Sequence, residues 1–496
     1  MIKKVLLIQP PYTIHKADPK GCQPPLGLAY LASVLENSGF EVKILDAIVD
    51  GFDTEISVGN NFIRYGLDFD KIQSASGEFA PDIIGISSLF SCQYSNALTV
   101  AEILKKDFPD SKIVMGGAHP SATCEEILKN ECVDFVILGE GEYSFRDLIA
   151  ALNSGQSLIN IDGLAYKADG EIRVNPKTSF IQDLDKLPFP ARHLLDMEKY
   201  FQINRPHGTT SKLTPNTSLI MSRGCPARCI FCSIHGIWGR KFRARSPENV
   251  VDEIEFLVKT YGIKELQFED DNLTFDKERA VKIFQLMIER ELGLEWTTPN
   301  GVAAYRLDDE LIEAMQKSGC YRACLAIESG DSQVLHKIIK KPLQLEKVKP
   351  LVKKFRDVGI AVDGFFVVGF PGETREQIKR TFRFATQAGF DNVNFFFATP
   401  YKGTELYDLC EENKLLSSDF DYSRLKVGNA HISTTEFSTA ELEKLVALET
   451  FKYRLRQLGS PRIFYERVFK RLLNDPRFFM SYFWRLVTRL VGVKRN

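Results

Sequence analysis

Apolar residues in the first 150 positions fall into short unbroken runs. Val5–Ile8, Val42–Leu45, Ile83–Ile86, Ile113–Met115 and Phe135–Leu138 are of strand length and mostly β-branched or aliphatic. Between them apolar positions recur at i, i+3, i+4 and i+7, as in Leu28, Leu31, Ala32, Leu35 and again in Ala97, Val100, Ala101, Leu104. Strands apolar on both faces, alternating with one-faced helices, predict an α/β fold with a doubly wound, flavodoxin-like parallel sheet. Ligands of such sheets lie over the carboxyl ends of the strands. The polar, glycine-dotted stretch Asp50–Phe79 reads as an excursion between the second and third strands.

The pattern changes over 153–216. Gly163–Val174 is two alternating runs around Ala168-Asp169-Gly170, a predicted hairpin, and Pro188 and Pro190 stiffen the extended connector that follows. A second alternation begins at Ser218, with strand candidates Leu219–Met221, Glu265–Phe268, Trp296–Pro299, Ala323–Ile327, Phe365–Val368 and Asn394–Ala398. Six β/α units predict a partial (β/α)6 TIM-type barrel, with chemistry at the carboxyl-terminal rim of its strands. Beyond Glu405 the pattern is helical. The expected organisation is a ligand-binding domain over 1–152, a linker with a hairpin over 153–216, a barrel over 217–404 and a helical carboxyl-terminal segment over 405–496.

Composition narrows the partners. Lysine and arginine number 64 against 65 acidic residues, a net charge of −1, so no global field draws the chain to nucleic acid. Ten cysteines in 496 residues are too sparse for a disulfide scaffold. The start, MIKKVLLIQPP, lacks a secretory signal and no long apolar window reads as a spanning helix, so a reducing cytoplasm is expected. One local exception is 464–496, where eight cations stand against Glu466 and Asp475. There Ser481, Arg485 and Arg489 form a stripe beside an aromatic and aliphatic face. Two readings stay open: a terminal helix docked on the barrel, or a helix at the inner membrane surface that meets a lipophilic substrate.

The sharpest chemical feature is Arg223-Gly-Cys225-Pro-Ala-Arg-Cys229-Ile-Phe-Cys232, placed directly after the first barrel strand. Three thiolates on one loop can hold three irons of a 4Fe-4S cubane and leave the fourth open. A Cys3His zinc site completed by His235 is the alternative, and inert buried thiols a third. Glu269, Asp270 and Asp271 end the second strand, as a solvated strand end or as ligands facing the cluster. Glu328, followed by Ser329, ends an apolar run and, if buried, needs a cationic or donor partner. Gly369 sits in Val367-Val-Gly-Phe-Pro-Gly372, either a tight turn or room for a ligand. In the first domain Ser87-Ser-Leu89, Gly116-Gly117-Ala-His119 and Gly139-Glu140-Gly-Glu142 close the third, fourth and fifth strands. Glycines there permit close backbone approach to a bulky ligand, or simply a turn.

Cys225, Cys229 and Cys232, with Phe231 before the last of them and a six-unit barrel behind, resemble the radical S-adenosylmethionine (SAM) superfamily over 218–404. The strand ends of the first domain resemble a cobalamin-binding domain. Together, from Lys3 to Thr404, the chain resembles the cobalamin-dependent radical SAM enzymes. The resemblance implies a 4Fe-4S cluster on the three cysteines and SAM on the open iron, cleaved to a 5′-deoxyadenosyl radical. It implies Glu269 and Asp270 near the methionine amine, Glu328 and Ser329 near the ribose or carboxylate, and Gly369 near the adenine. Ser87, Leu89, Gly116, Gly117, Gly139 and Glu140 would surround cobalamin, with His119 a loop residue near its nucleotide tail. One departure is plain: the family's Asp-x-His-x-x-Gly is absent, and His15 lacks both its Asp and its Gly, so His15 is not assigned as a cobalt ligand. The implied activity is methylation of an unactivated carbon of a small molecule, with a flavodoxin- or ferredoxin-type electron donor. Oxidative ring closure of a tetrapyrrole ester and a non-catalytic cobalamin sensor or carrier are the alternatives.

Overall fold

The computed structural model describes residues 1–59, 61–207, 211–416, 420–422 and 429–458. The helix expected within 464–496 lies outside these residues. Lys4–Gln9, Glu41–Asp46, Ile83–Ser87, Lys112–Gly116 and Phe135–Ile137 form the parallel part of the first sheet. Their spatial order is second, first, third, fourth, fifth, which is the flavodoxin-like order. Successive side chains alternate between two apolar cores: Leu7 packs with Phe145 and Leu148, whereas Leu6 and Ile8 pack with Val100 and Leu104. The hairpin forms as Leu164–Ala168 and Glu171–Val174, turning through Asp169 and Gly170, both at positive φ. It pairs antiparallel beside Phe135–Ile137, so this part of the expected linker is an edge of the first sheet. The excursion supplies Glu55–Gly59 and Phe62–Tyr65, which join Tyr12–His15 in a small antiparallel sheet, and then a helix over Phe69–Phe79. That helix is hard to read from sequence because it buries only Ile72 and Ser76.

The second sheet has six parallel strands, Asn216–Leu219, Glu265–Phe268, Glu295–Val302, Cys320–Glu328, Ala361–Val368 and Asn392–Phe397, hydrogen-bonded in chain order. This is the expected partial barrel. Helix starts are set locally: the Ser246 hydroxyl caps Pro247–Tyr261, Asp276 caps Lys277–Glu289, and Thr374 with Gln377 makes a capping box for Arg375–Ala388. Trp296, fully buried, stacks on Phe284 at 4.9 Å and meets Phe268 edge-on at 5.1 Å, locking strand to helix. Helices Glu405–Glu412 and Thr439–Leu458 follow; Leu442 and Val446 of the latter pack on Val368, Ile378 and Phe382.

The carboxyl-terminal edges of the two sheets face each other. The loop after the sixth barrel strand reaches the helix that follows Gly117: Lys402 pairs with Glu126, and Gly403 lies beside Ala122. Among the described residues, no helix is long and apolar enough to cross a membrane.

Candidate active site

The first barrel strand leads into a short ribbon, Ser222–Arg223 paired antiparallel with Arg243–Ala244, and the loop between carries Cys225, Cys229 and Cys232. Gly224 closes the stems: its φ is +82°, and a Cβ there would stand 2.3 Å from the Lys241 carbonyl oxygen. Ile230, buried between the cysteines, pins the loop by donating its N–H to the Ile339 carbonyl (3.2 Å) and accepting from Leu406 N–H (2.9 Å). Phe231 packs on Phe370. The thiols lie within electrostatic reach of one another, and burial pushes Cys229 up to about 11 and Cys232 to about 12. Iron must therefore displace their protons. His235 does not turn to the thiols; its Nε2 lies 3.1 Å from the Cys225 carbonyl oxygen, bracing the loop. That contact commits His235 Nε2 to the loop backbone.

The carboxylates after the second barrel strand divide in role. Asp270 is buried and accepts from Met221 N–H (3.2 and 3.1 Å) and the Ser222 hydroxyl. These bonds make Asp270, expected at the methionine amine, a brace for the stem of the cysteine loop. Glu269 pairs with His207 at 2.7 Å through Oε2, while its buried Oε1 has no partner among the described residues. Asp271 keeps contact with solvent, yet surrounding protein and the adjacent Asp270 push it up to about 7, and it adds to the shift of Cys232. Asn272, which sequence reasoning passed over, directs Nδ2 toward Cys225 Sγ (3.6 Å) and leaves a buried Oδ1 with no partner among the described residues.

Glu328 ends the fourth strand at φ +71°, a strained setting for a residue with a side chain. Its expected cation is protein-borne: Lys341 Nζ lies 2.8 Å from Oε1, both side chains being under 10% exposed. Lys341 also interacts with Cys229, so this pair borders the cluster loop. No sequence signal marks Lys341, since only the fold carries it back 13 residues to Glu328. Ser329 is spent inside the protein, on Thr381 (3.1 Å) and Asp331 N–H (3.1 Å). Gly369 makes the turn, at φ +91°, where a Cβ would strike Leu442 at 2.4 Å; its N–H and that of Phe370 donate to Glu373. Its tight approach on the Cβ side is thus to the carboxyl-terminal helix. Glu373 is fully buried and pushed up to about 8 by that burial.

At the first sheet, Ser87, Leu89, Gly116 and Gly117 do converge. Gly117, at φ +113°, lets the Ser88 carbonyl approach; a Cβ would stand 2.8 Å from its oxygen. Leu89 and Phe90, 49% and 52% exposed, project apolar surface from this edge, and the buried Ser88 Oγ has no partner among the described residues. Such a cradle, with an orphaned hydroxyl and exposed apolar groups, fits a large amphipathic cofactor. His119 is instead internal: Nδ1 meets Ser91 Oγ at 3.1 Å, the ring lies on Tyr94, and burial lowers its pKa to about 4. His15 sits on the small sheet with its ring against Phe62. Gly139 approaches the Ile237 carbonyl oxygen of the cysteine loop, where a Cβ would stand at 3.0 Å. Glu140, expected beside the cofactor, has its side chain engaged by Arg223 and Arg243.

The B12 binding domain family matches residues 12–149, and the Radical SAM superfamily matches residues 219–385. A cytidylyl-2-hydroxyethylphosphonate methyltransferase of Streptomyces wedmorensis is 38% identical over 82% of this chain and 82% of its own. An uncharacterised methyltransferase of Pyrococcus horikoshii is 33% identical over 95% of each. An anaerobic magnesium-protoporphyrin IX monomethyl ester cyclase of Rubrivivax gelatinosus is 29% identical over 82% of this chain and 69% of its own. In fold, the chain is similar to the radical SAM methyltransferase TsrM of Kitasatospora setae (TM-score 0.67, 18% identity, 84% and 79% covered). It is likewise similar to the cobalamin-dependent SAM radical enzyme OxsB (TM-score 0.71, 17% identity, 92% and 67% covered).

Proposed function

Because the chain belongs to the cobalamin-dependent radical SAM methyltransferases, we propose that it methylates an unactivated carbon of a small-molecule substrate between its two facing strand edges. When bound, the 4Fe-4S cluster and SAM supply a radical that removes hydrogen, and cobalamin supplies the methyl group. The single observation that carries this reading is that a carboxyl-terminal strand end of the first sheet meets the cysteine loop, Gly139 lying against the Ile237 carbonyl and Glu140 pairing with Arg223 and Arg243, which supports neighbouring sites for the two cofactors.

The chain's own residues hold and orient. Cys225, Cys229 and Cys232 supply the thiolates, and Asn272 donates toward Cys225. Glu269 Oε1 and Asn272 Oδ1, both unsatisfied, are suited to receive the ammonium of SAM, and Asp271 lies close enough to Cys232 to join them. The Glu328–Lys341 pair holds a fixed charge beside Cys229. Leu89 and Phe90 cover apolar cofactor surface and exclude water. An electron donor of flavodoxin or ferredoxin type completes the cycle, and the reduced cluster and free thiols suit the reaction to the cytoplasm.

Extracts incubated anaerobically with reconstituted protein, reductant and SAM carrying a trideuterated methyl group should yield a metabolite heavier by one labelled methyl group. Label found only in S-adenosylmethionine-derived side products would overturn the reading. An unlabelled product of a tetrapyrrole ester that has lost hydrogen would assign ring closure instead.

A further inference from the structure

The residues from Gly224 to Phe242 hold all three cluster cysteines, and both stems of this loop carry a buried arginine. One carboxylate grips both. Glu140 Oε1 lies 3.2 Å from Arg223 Nη1 and 2.6 Å from Arg243 Nη1, while Oε2 accepts Ile181 N–H at 2.7 Å. Glu142 adds a contact of 2.6 Å to Arg223 Nη2. All four side chains are 6% exposed or less. The Arg223 guanidinium also lies 4.6 Å from the Trp238 ring centroid, within the same loop. Glu140 directly follows Gly139, which caps the fifth strand of the first sheet and lies against Ile237 of the loop.

Resting on the two-cofactor reading above, we propose that Glu140 is a positioning residue: it clamps both stems of the cysteine loop to the cobalamin-binding sheet and so sets the separation of cluster and cobalt. An apolar contact would hold the domains together over a range of slides, because the hydrophobic effect has no direction. A carboxylate shared by two guanidiniums has one geometry, and its value lies in specifying that geometry since burying charge adds little net stability. Alignment matters here because a misplacement of about 1 Å can cost on the order of 10²-fold in rate.

The test uses the full chain with Glu140→Gln, which keeps shape and removes charge. In cofactor-free protein, amide hydrogen exchange over 224–242 should quicken by about ten- to a hundredfold, as charge-assisted bonds are lost. In reconstituted protein, iron and cobalamin contents should match the wild type. The magnetic broadening of the cob(II)alamin electron spin resonance by the reduced cluster, a readout of their separation, should change. Glu142→Gln, which removes only the second contact to Arg223, should shift both measures less and in the same direction, and it serves if Glu140→Gln does not fold. Leu148→Ala, in the core of the first sheet, should lower stability and leave the broadening unchanged. Unaltered exchange and broadening in both glutamate variants, or the same change in Leu148→Ala, would overturn the clamp. Wild-type protein that takes up no cobalamin would instead overturn the two-cofactor reading, while the exchange measurement would still judge the clamp.

Discussion

Single residues carry unequal shares of the electrostatic cost in this molecule. Glu328 and Lys341 are buried together, so removing one charge leaves the other uncompensated. Glu328→Gln should cost about 3–5 kcal/mol in denaturant unfolding, and adding Lys341→Met should recover most of it. Glu373 has the opposite character. It ordinarily titrates at 4.5 but is raised to about 8, so between those values the folded chain holds a proton that the unfolded chain has lost. Its contribution to stability therefore falls as pH rises from about 4.5 to about 8 and is level above that. Glu373→Gln, whose amide oxygen can accept from the same Gly369 and Phe370 N–H groups, should match the wild type near pH 5 and exceed it at pH 8. The gain should be on the order of a few kcal/mol, because each tenfold difference in proton affinity between the folded and unfolded chain is worth about 1.4 kcal/mol. Thermal unfolding of the two proteins across that range should show a widening difference in Tm.

At the scale of elements, the loops at strand ends hold the backbone settings that matter. Gly117 needs a positive φ and touches the Ser88 backbone, so Gly117→Ala strains one loop and displaces another. It should cost about 1–3 kcal/mol and reduce cobalamin retention, with Ser88–Phe90 moving as the cause. Retention equal to the wild type, measured after gel filtration, would separate this loop from the cofactor. Strands were legible in the sequence because a strand buried on both faces needs an unbroken apolar run. The hairpin at 164–174 was also legible, through Asp169-Gly170, but its place at the sheet edge was not, since pairing with Phe135–Ile137 leaves no local signal. The helix Phe69–Phe79 escaped because so little of it is buried.

At the scale of the whole molecule, the first sheet has cores of its own, distinct from that of the barrel. Replacing Cys225, Cys229 and Cys232 together by alanine should therefore abolish iron uptake and SAM cleavage while cobalamin content stays near the wild-type value. Loss of both cofactors at once would show that the domains fold as one unit. The cationic segment 464–496 gives a further expectation of the membrane reading: full-length protein should sediment with anionic vesicles at low salt, and a chain ending before Pro461 should not. Equal sedimentation of the two leaves that reading without support.

The sequence by itself determined the two β/α alternations, the glycine-rich strand ends and the three closely spaced cysteines, because hydrophobic periodicity and short-range residue spacing are local properties of a chain. Only the tertiary structure decided which polar groups remain free for cofactors. Asp270, Ser329, Glu140 and His119 look as available in sequence as Glu269 or Asp271, yet each is taken up by a protein partner, whereas Glu269 gives His207 only one of its two oxygens. Lys341 beside Glu328, and Glu140 across both stems of the cysteine loop, likewise became visible only when the strands were laid side by side. The reason is that buried charge must be met by a partner, and the partner is chosen by proximity in space, which spacing along the chain does not encode.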